Sequence, residues 1–201
     1  MTRSRALLYL ERLLFAAGIG LAAWCAVILV EARRTRQLPI EPVRVTMALP
    51  GDEGTPPRPS PSARVLRPGS VIGRLEAPGL QLSTPVLEGS DDGTLARGAG
   101  HLEDTPFAGD IGNVGIAGHR DTVFRPLKHA KAGDELTLTT ADGTYRYRIA
   151  KTLIVDPDDV YVLDPTREPT LTLVTCYPFE FIGHAPRRFI VQAQLVDHAA
   201  R

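Results

Sequence analysis

Hydrophobic and polar positions alternate with a period of two along much of the second half of the chain, the pattern of strands with one buried face. In TYRYRIAKTLIV (144–155), Tyr145, Tyr147, Ile149, Leu153 and Val155 fall on one face, with Thr144, Arg146, Arg148 and Thr152 on the other. ELTLTT (135–140) precedes it across Ala-Asp-Gly, so the two segments predict a hairpin. Further strands are predicted at 71–78 (VIGRLEAP), 80–89 (LQLSTPVLEG), 114–118 (VGIAG), 171–176 (LTLVTC) and 188–195 (RFIVQAQL). Helical signals are short: Ser90 to Arg97 with Gly98 as a stop, and Val123 to His129. Many short strands with few helices predict an all-β domain closed or nearly closed into a barrel, since closure removes exposed edges.

The amino-terminal pattern is different. Leu13 to Val30 is an uncharged run of 18 residues, which as a helix spans about 27 Å against a hydrocarbon core of roughly 30 Å. Arg3, Arg5 and Arg12 precede it, as in a secretory signal, but no small-x-small cleavage site follows and EARRTR does, so a retained transmembrane anchor is expected. Arginines on both flanks leave the orientation open. Between Gln37 and Ser70 lie eight of the 17 prolines, the composition of a semi-rigid stalk. The expected organisation is therefore a basic segment at 1–12, an anchor at 13–30, a Pro-rich stalk at 31–70 and a barrel domain at 71–198.

Charge narrows the function classes. The 23 basic and 23 acidic side chains cancel, and no basic stripe interleaved with aromatics is present, so nucleic acid is not an expected partner. Of two cysteines, Cys25 lies in the apolar run and Cys176 in the barrel domain, too far apart in their settings to pair. Cys176 is thus expected as a free thiol.

Cys176 ends an apolar strand and precedes Tyr-Pro-Phe, where Pro178 halts strand pairing; a side chain there emerges at a sheet rim. A lone cysteine is more often a small core residue, so the chemistry has to come from its partners. A thiol nucleophile needs a proton-transfer partner. His119, after the strand in GNVGIAGHRDT, is the first candidate, and His101 in GAGHLED the second. An oxyanion needs a positive donor, which Arg187 or Arg188 can supply. Phe189, Val191, Ala193 and Leu195 form a core-facing set with Arg187 in its register; Arg188 falls outward with Gln192 and Gln194, which favours it while leaving Arg187 as the alternative. No histidine or cysteine pair lies at a metal-ligand spacing, and the pairs Asp91-Asp92 and Asp158-Asp159 read as cap and turn residues.

GNVGIAGHRDTVF (112–124), TLVTC (172–176) and RRFIV (187–191) resemble, in this order, the His, Cys and Arg motifs of the sortases, and Cys-Tyr-Pro-Phe is similar to class D sortases in particular. The likeness runs from Val71 to Val196. It implies an eight-stranded sortase-type β-barrel behind an amino-terminal anchor, outside the cytoplasm at the cell membrane. It implies a cysteine transpeptidase that cuts substrate proteins at a carboxy-terminal Leu-Pro-x-Thr-like sorting signal and passes them to an amine of the cell envelope, or to water. Cys176 would be the nucleophile, His119 the acid and base, and Arg188 the stabiliser of the carbonyl oxygen, with Thr175, Arg187 and His101 supporting or lining the groove. No cofactor and no metal are expected. The competing enzyme class, an L,D-transpeptidase, expects a Ser-x-Gly-Cys type of motif that is absent. The competing non-enzyme reading is an inactive, membrane-tethered β-barrel that binds peptides.

Overall fold

The computed structural model describes residues 11–26, 66–181 and 183–200. The chain divides into two units, Met1–Leu38 and Pro39–Arg201. In the first, residues 11–26 form helix α1, on which Leu13, Leu14, Phe15, Ile19, Leu21 and Trp24 are exposed. Among the described residues no helix is long and apolar enough to cross a membrane. Residues 27–30 of the expected anchor, residues 31–65 of the expected stalk and residues 1–10 of the basic segment lie outside the described residues.

The second unit contains β1 (Val71–Ala77), β2 (Leu82–Glu88), α2 (Asp92–Leu95), β3 (Ala99–His101), β4 (Asn113–Ala117), β5 (Glu135–Thr140), β6 (Gly143–Val155), β7 (Thr170–Tyr177) and β8 (Arg187–Ala200). They form a closed barrel in the order β1-β2-β3-β4-β7-β8-β6-β5. Closure comes from β1, which pairs antiparallel with both β2 and β5. The expected β5–β6 hairpin is present, with Glu135 opposite Arg148 through Thr139 opposite Thr144. Leu75, Val86, Ile116, Leu136, Tyr147, Leu171, Leu173 and Val191 fill the interior, each at most 1% exposed. A side chain of this kind contributes about 1.5–3 kcal/mol when fully buried.

Two features depart from the sequence pattern. Strand β3, only three residues long, is held parallel to β2 and antiparallel to β4; such a segment is too short to show alternation. In β6 the five apolar residues do not share one face. The register slips between Ile149 and Lys151, which oppose Ala193 and Gln192, so Ala150 is an extra residue. A bulge of one residue moves every later side chain to the other wall. Tyr145, Tyr147 and Ile149 therefore meet the interior, whereas Leu153 and Val155 join a second cluster with Val162, Leu163, Val174 and Ile190 outside it.

That outer cluster braces the site rim. A 3-10 helix, Val160–Leu163, lies over it. Asn113 Nδ2 and Gln192 Nε2 each donate to Val162 O at 2.9 Å, and Thr172 Oγ1 donates to Asn113 Oδ1 at 2.6 Å. One residue from each of β4, β7 and β8 thus holds the segment in place.

The helical expectations shrink to single turns. Helix α2 covers four residues. Asp91 caps it, its carboxylate accepting from Gly93 N and Thr94 N, as well as from Thr94 Oγ1 at 2.6 Å. These bonds, the Thr94 hydroxyl foremost, hold the Asp91 carboxyl below its usual value. The second becomes a 3-10 helix at Arg125–His129, where Pro126 sits in the first turn.

Candidate active site

The strand order places β7 between β4 and β8, so the site can be built from two ladders. The β4–β7 ladder is parallel, running from Asn113 opposite Thr170 to Ala117 opposite Val174. Past the last pair, Gly118 N donates to Val174 O at 3.1 Å, and Thr175 Oγ1 donates to Gly118 O at 2.7 Å, a contact 57 residues apart in sequence. The whole ladder has this offset, and so do His119, two residues past the end of β4, and Cys176; both side chains line one cleft. Only glycine fits at 118, because a Cβ there would lie 2.7 Å from the Phe124 ring.

The β7–β8 ladder is antiparallel and sets Cys176 directly opposite Arg188, and Tyr177 opposite Arg187. Opposed residues share a sheet face with Cβ atoms about 4.5–5.5 Å apart. Arg188 therefore stands on the cysteine's side and Arg187 on the other, where it is exposed. Val155 opposes Arg188 from β6 and is buried, so Arg188 stands between the thiol and an apolar wall. Its Nη1 donates to Ala185 O at 3.4 Å and to Arg187 O at 3.1 Å. No acceptor among the described residues takes its Nη2 or Nε. The thiol thus has an imidazole on one side and a guanidinium on the other.

An open cleft contains all three, lined by His119, Arg120, Asp121, Cys176, Gly183, His184, Ala185 and Arg188. Cys176 and His119 are half-buried, and among the described residues neither side chain has a hydrogen-bond partner. Arg120, Asp121 and His184 were not foreseen as site residues. The first two directly follow His119, which was the available signal; His184 arrives only through the path of the loop between β7 and β8. Thr175 points inward, 3% exposed, and touches the site through the Gly118 carbonyl.

His101 is not brought to the cleft. It is 1% exposed, with Nδ1 3.0 Å from Glu88 Oε2 and Nε2 3.1 Å from Pro106 O and 3.2 Å from Thr105 Oγ1. Its ring stacks on Phe107. The Thr105 hydroxyl donates to Leu102 O, so Nε2 faces two acceptors and carries a proton. The expectation that His101 lines the groove is corrected by this packing: it closes the β2–β3 corner. Among the described residues no group of three or more histidine, cysteine or acidic side chains is arranged to hold a metal.

The fold and site together define a closed β-barrel bearing a free thiol on one rim strand, with a histidine just past the end of one neighbouring strand and an arginine on the other. Residues 75–196 match the family model described as Sortase domain. The chain is 40% identical over 129 residues to Sortase D of Bacillus subtilis (strain 168), covering 64% of this chain and 65% of that protein. With Sortase SrtE1 of Streptomyces coelicolor the identity is 32% over 153 residues, covering 67% of this chain and 43% of the relative. A solved Clostridium perfringens Sortase D5 transpeptidase superposes with a TM-score of 0.60 at 32% identity, over 66% of this chain and 82% of that one. The Sortase E1 of Streptomyces coelicolor, solved with a tripeptide in its active site, gives 0.60 at 30% identity, over 66% and 92%. The chain belongs to the sortase family. It spans less than two thirds of the length of the two curated relatives named here.

Proposed function

We propose that this protein is a cysteine transpeptidase of the class D type, acting on substrate proteins that carry a Leu-Pro-x-Thr-like signal. Cys176 Sγ bonds to the threonine carbonyl carbon, the peptide C–N bond breaks, and the leaving amine takes a proton from His119. Arg188 holds the carbonyl oxygen as it gains negative charge. An amine of the cell envelope then attacks the thioacyl carbon, the C–S bond breaks, and His119 takes the proton the amine loses. Water in place of the amine gives hydrolysis. The observation that carries this reading is the cross-strand pairing of Cys176 with Arg188 on the strand next to the His119 rim.

Membrane attachment through residues 13–30 belongs to the same proposal, with the barrel on the outer side. It is supported by the uncharged run and by the exposed apolar side chains of α1. The test is to incubate the full chain with quenched peptides containing Leu-Pro-x-Thr-Gly or Leu-Pro-x-Thr-Ala, with and without an amine. Turnover lost in Cys176→Ala, with an acyl adduct on Cys176 by mass spectrometry, is the expected outcome. A folded protein giving neither turnover nor adduct across a broad peptide panel would move the peptide-binding barrel ahead.

A further inference from the structure

Arg120 directly follows His119 yet reaches away from it, across to the loop that joins β7 and β8. Its Nη2 donates to two backbone carbonyls there, Phe181 O and Gly183 O, both at 2.8 Å. The guanidinium carbon stands 5.9 Å from the centroid of the Phe181 ring. Its Nη1 is shut off from solvent and has no partner among the described residues. One side chain thus ties the histidine's own segment to the loop whose Gly183, His184 and Ala185 form the facing wall of the cleft.

We infer that Arg120 is a positioning residue that sets which nucleophile reaches the thioacyl enzyme. The inference rests on the transpeptidase reading. Aminolysis and hydrolysis break the same C–S bond and hand a proton to the same imidazole; they differ only in whether nitrogen or a water oxygen bonds to the acyl carbon. An amine has to be held in a formed slot beside His119, whereas water needs only access. Carbonyls 181 and 183 accept from a single nitrogen, so losing that nitrogen frees both at once. The loop then moves from the histidine, the slot widens, and water gains on the amine. The exposed Lys128–Glu180 pair, 3.5 Å apart, also bridges to this loop, but an exposed ion pair contributes little.

The experiment uses the full chain with a Leu-Pro-x-Thr peptide and triglycine as the amine probe, comparing wild type with Arg120→Gln, Arg120→Lys and Lys128→Ala. In Arg120→Gln the ratio of hydrolysis to aminolysis should rise about tenfold, with a similar rise in the KM for the amine, both read per acyl-enzyme formed on Cys176. Arg120→Lys should fall between it and wild type, and Lys128→Ala should match wild type. Amide exchange across residues 178–186 should quicken in Arg120→Gln at an unchanged melting temperature. If Arg120→Gln does not fold, the same ratio and exchange are read in Arg120→Lys. An unchanged product ratio, or a ratio unchanged while acylation falls, overturns the inference. Failure of wild type to form any adduct on Cys176 overturns the transpeptidase reading instead, and unchanged amide exchange in Arg120→Gln overturns the part of Arg120 in holding the loop.

Discussion

The tripeptide Ala-Gly-His occurs twice on neighbouring strands, at 99–101 and at 117–119, and the two histidines meet opposite fates. Both glycines admit a close neighbour: the Gly89 carbonyl at Gly100, the Phe124 ring at Gly118. Beyond that the corners diverge. His101 is sealed in, with a carboxylate at one ring nitrogen and a carbonyl and hydroxyl at the other. His119 opens onto the cleft with both ring nitrogens available to a ligand. An imidazole with each nitrogen committed is held in place and stabilises a corner; one with nitrogens to spare can shuttle a proton. The surroundings assign the role, and the local motif does not.

The sharpest way to break this contrast is to delete each ring in turn. His119→Ala should lower turnover by about 10²–10⁴-fold at an almost unchanged melting temperature. Next in size, Arg188→Gln should lower kcat/KM by about 10²–10³-fold, while Arg187→Gln stays near wild type; the reverse order would move the oxyanion donor to the other face of β8. His101→Ala should invert the pattern, with stability falling by about 3 kcal/mol because the Glu88 carboxylate is left buried without its partner. Chemical denaturation measures it, and activity per folded molecule should stay within a few-fold. A His101→Ala protein of normal stability and no turnover would exchange the two assignments. Thr175→Val should sit between the classes, removing one buried hydrogen bond for about 1 kcal/mol and loosening the Gly118 corner under His119. The smallest effect concerns the His101 side of the barrel, where α2 packs on β3. Asp91 has its carboxyl depressed in the fold, so its stabilising share is present above the ordinary carboxylate value of 3.8 and is lost as the pH falls through the lower, folded value. Thermal melts of Asp91→Asn and wild type should differ at neutral pH and converge in acid.

Much of the barrel was readable because alternation marks a strand with one wet face, and seven of its eight strands were foreseen in this way. What escaped has physical causes. Three residues of β3 carry no period. In β6, Ala150 stands between Ile149 and Lys151, and the charged Lys151 in the register of Tyr147 and Ile149 is the one mark of the bulge that turns Leu153 and Val155 outward; alternation read past it missed the slip. At the site, the outward register of Arg188 was legible from Phe189, Val191 and Ala193. The separation of the two histidines was not, because it depends on Glu88, a strand away from His101. The reach of Arg120 was equally hidden, since its acceptors are backbone carbonyls some sixty residues further along, and carbonyls leave no mark in a sequence.

The constant offset of the β4–β7 ladder bears on how such a domain changes over generations. His119 and Cys176 are kept level by hydrogen bonds between two short strands, like marks on two rulers laid edge to edge. Lengthening a connecting loop between them leaves the marks level. One residue added inside Asn113–Ala117 or Thr170–Tyr177 turns a mark to the opposite wall. Selection can therefore rewrite the loops that read a substrate while ten or so residues of matched strand keep the chemistry in step.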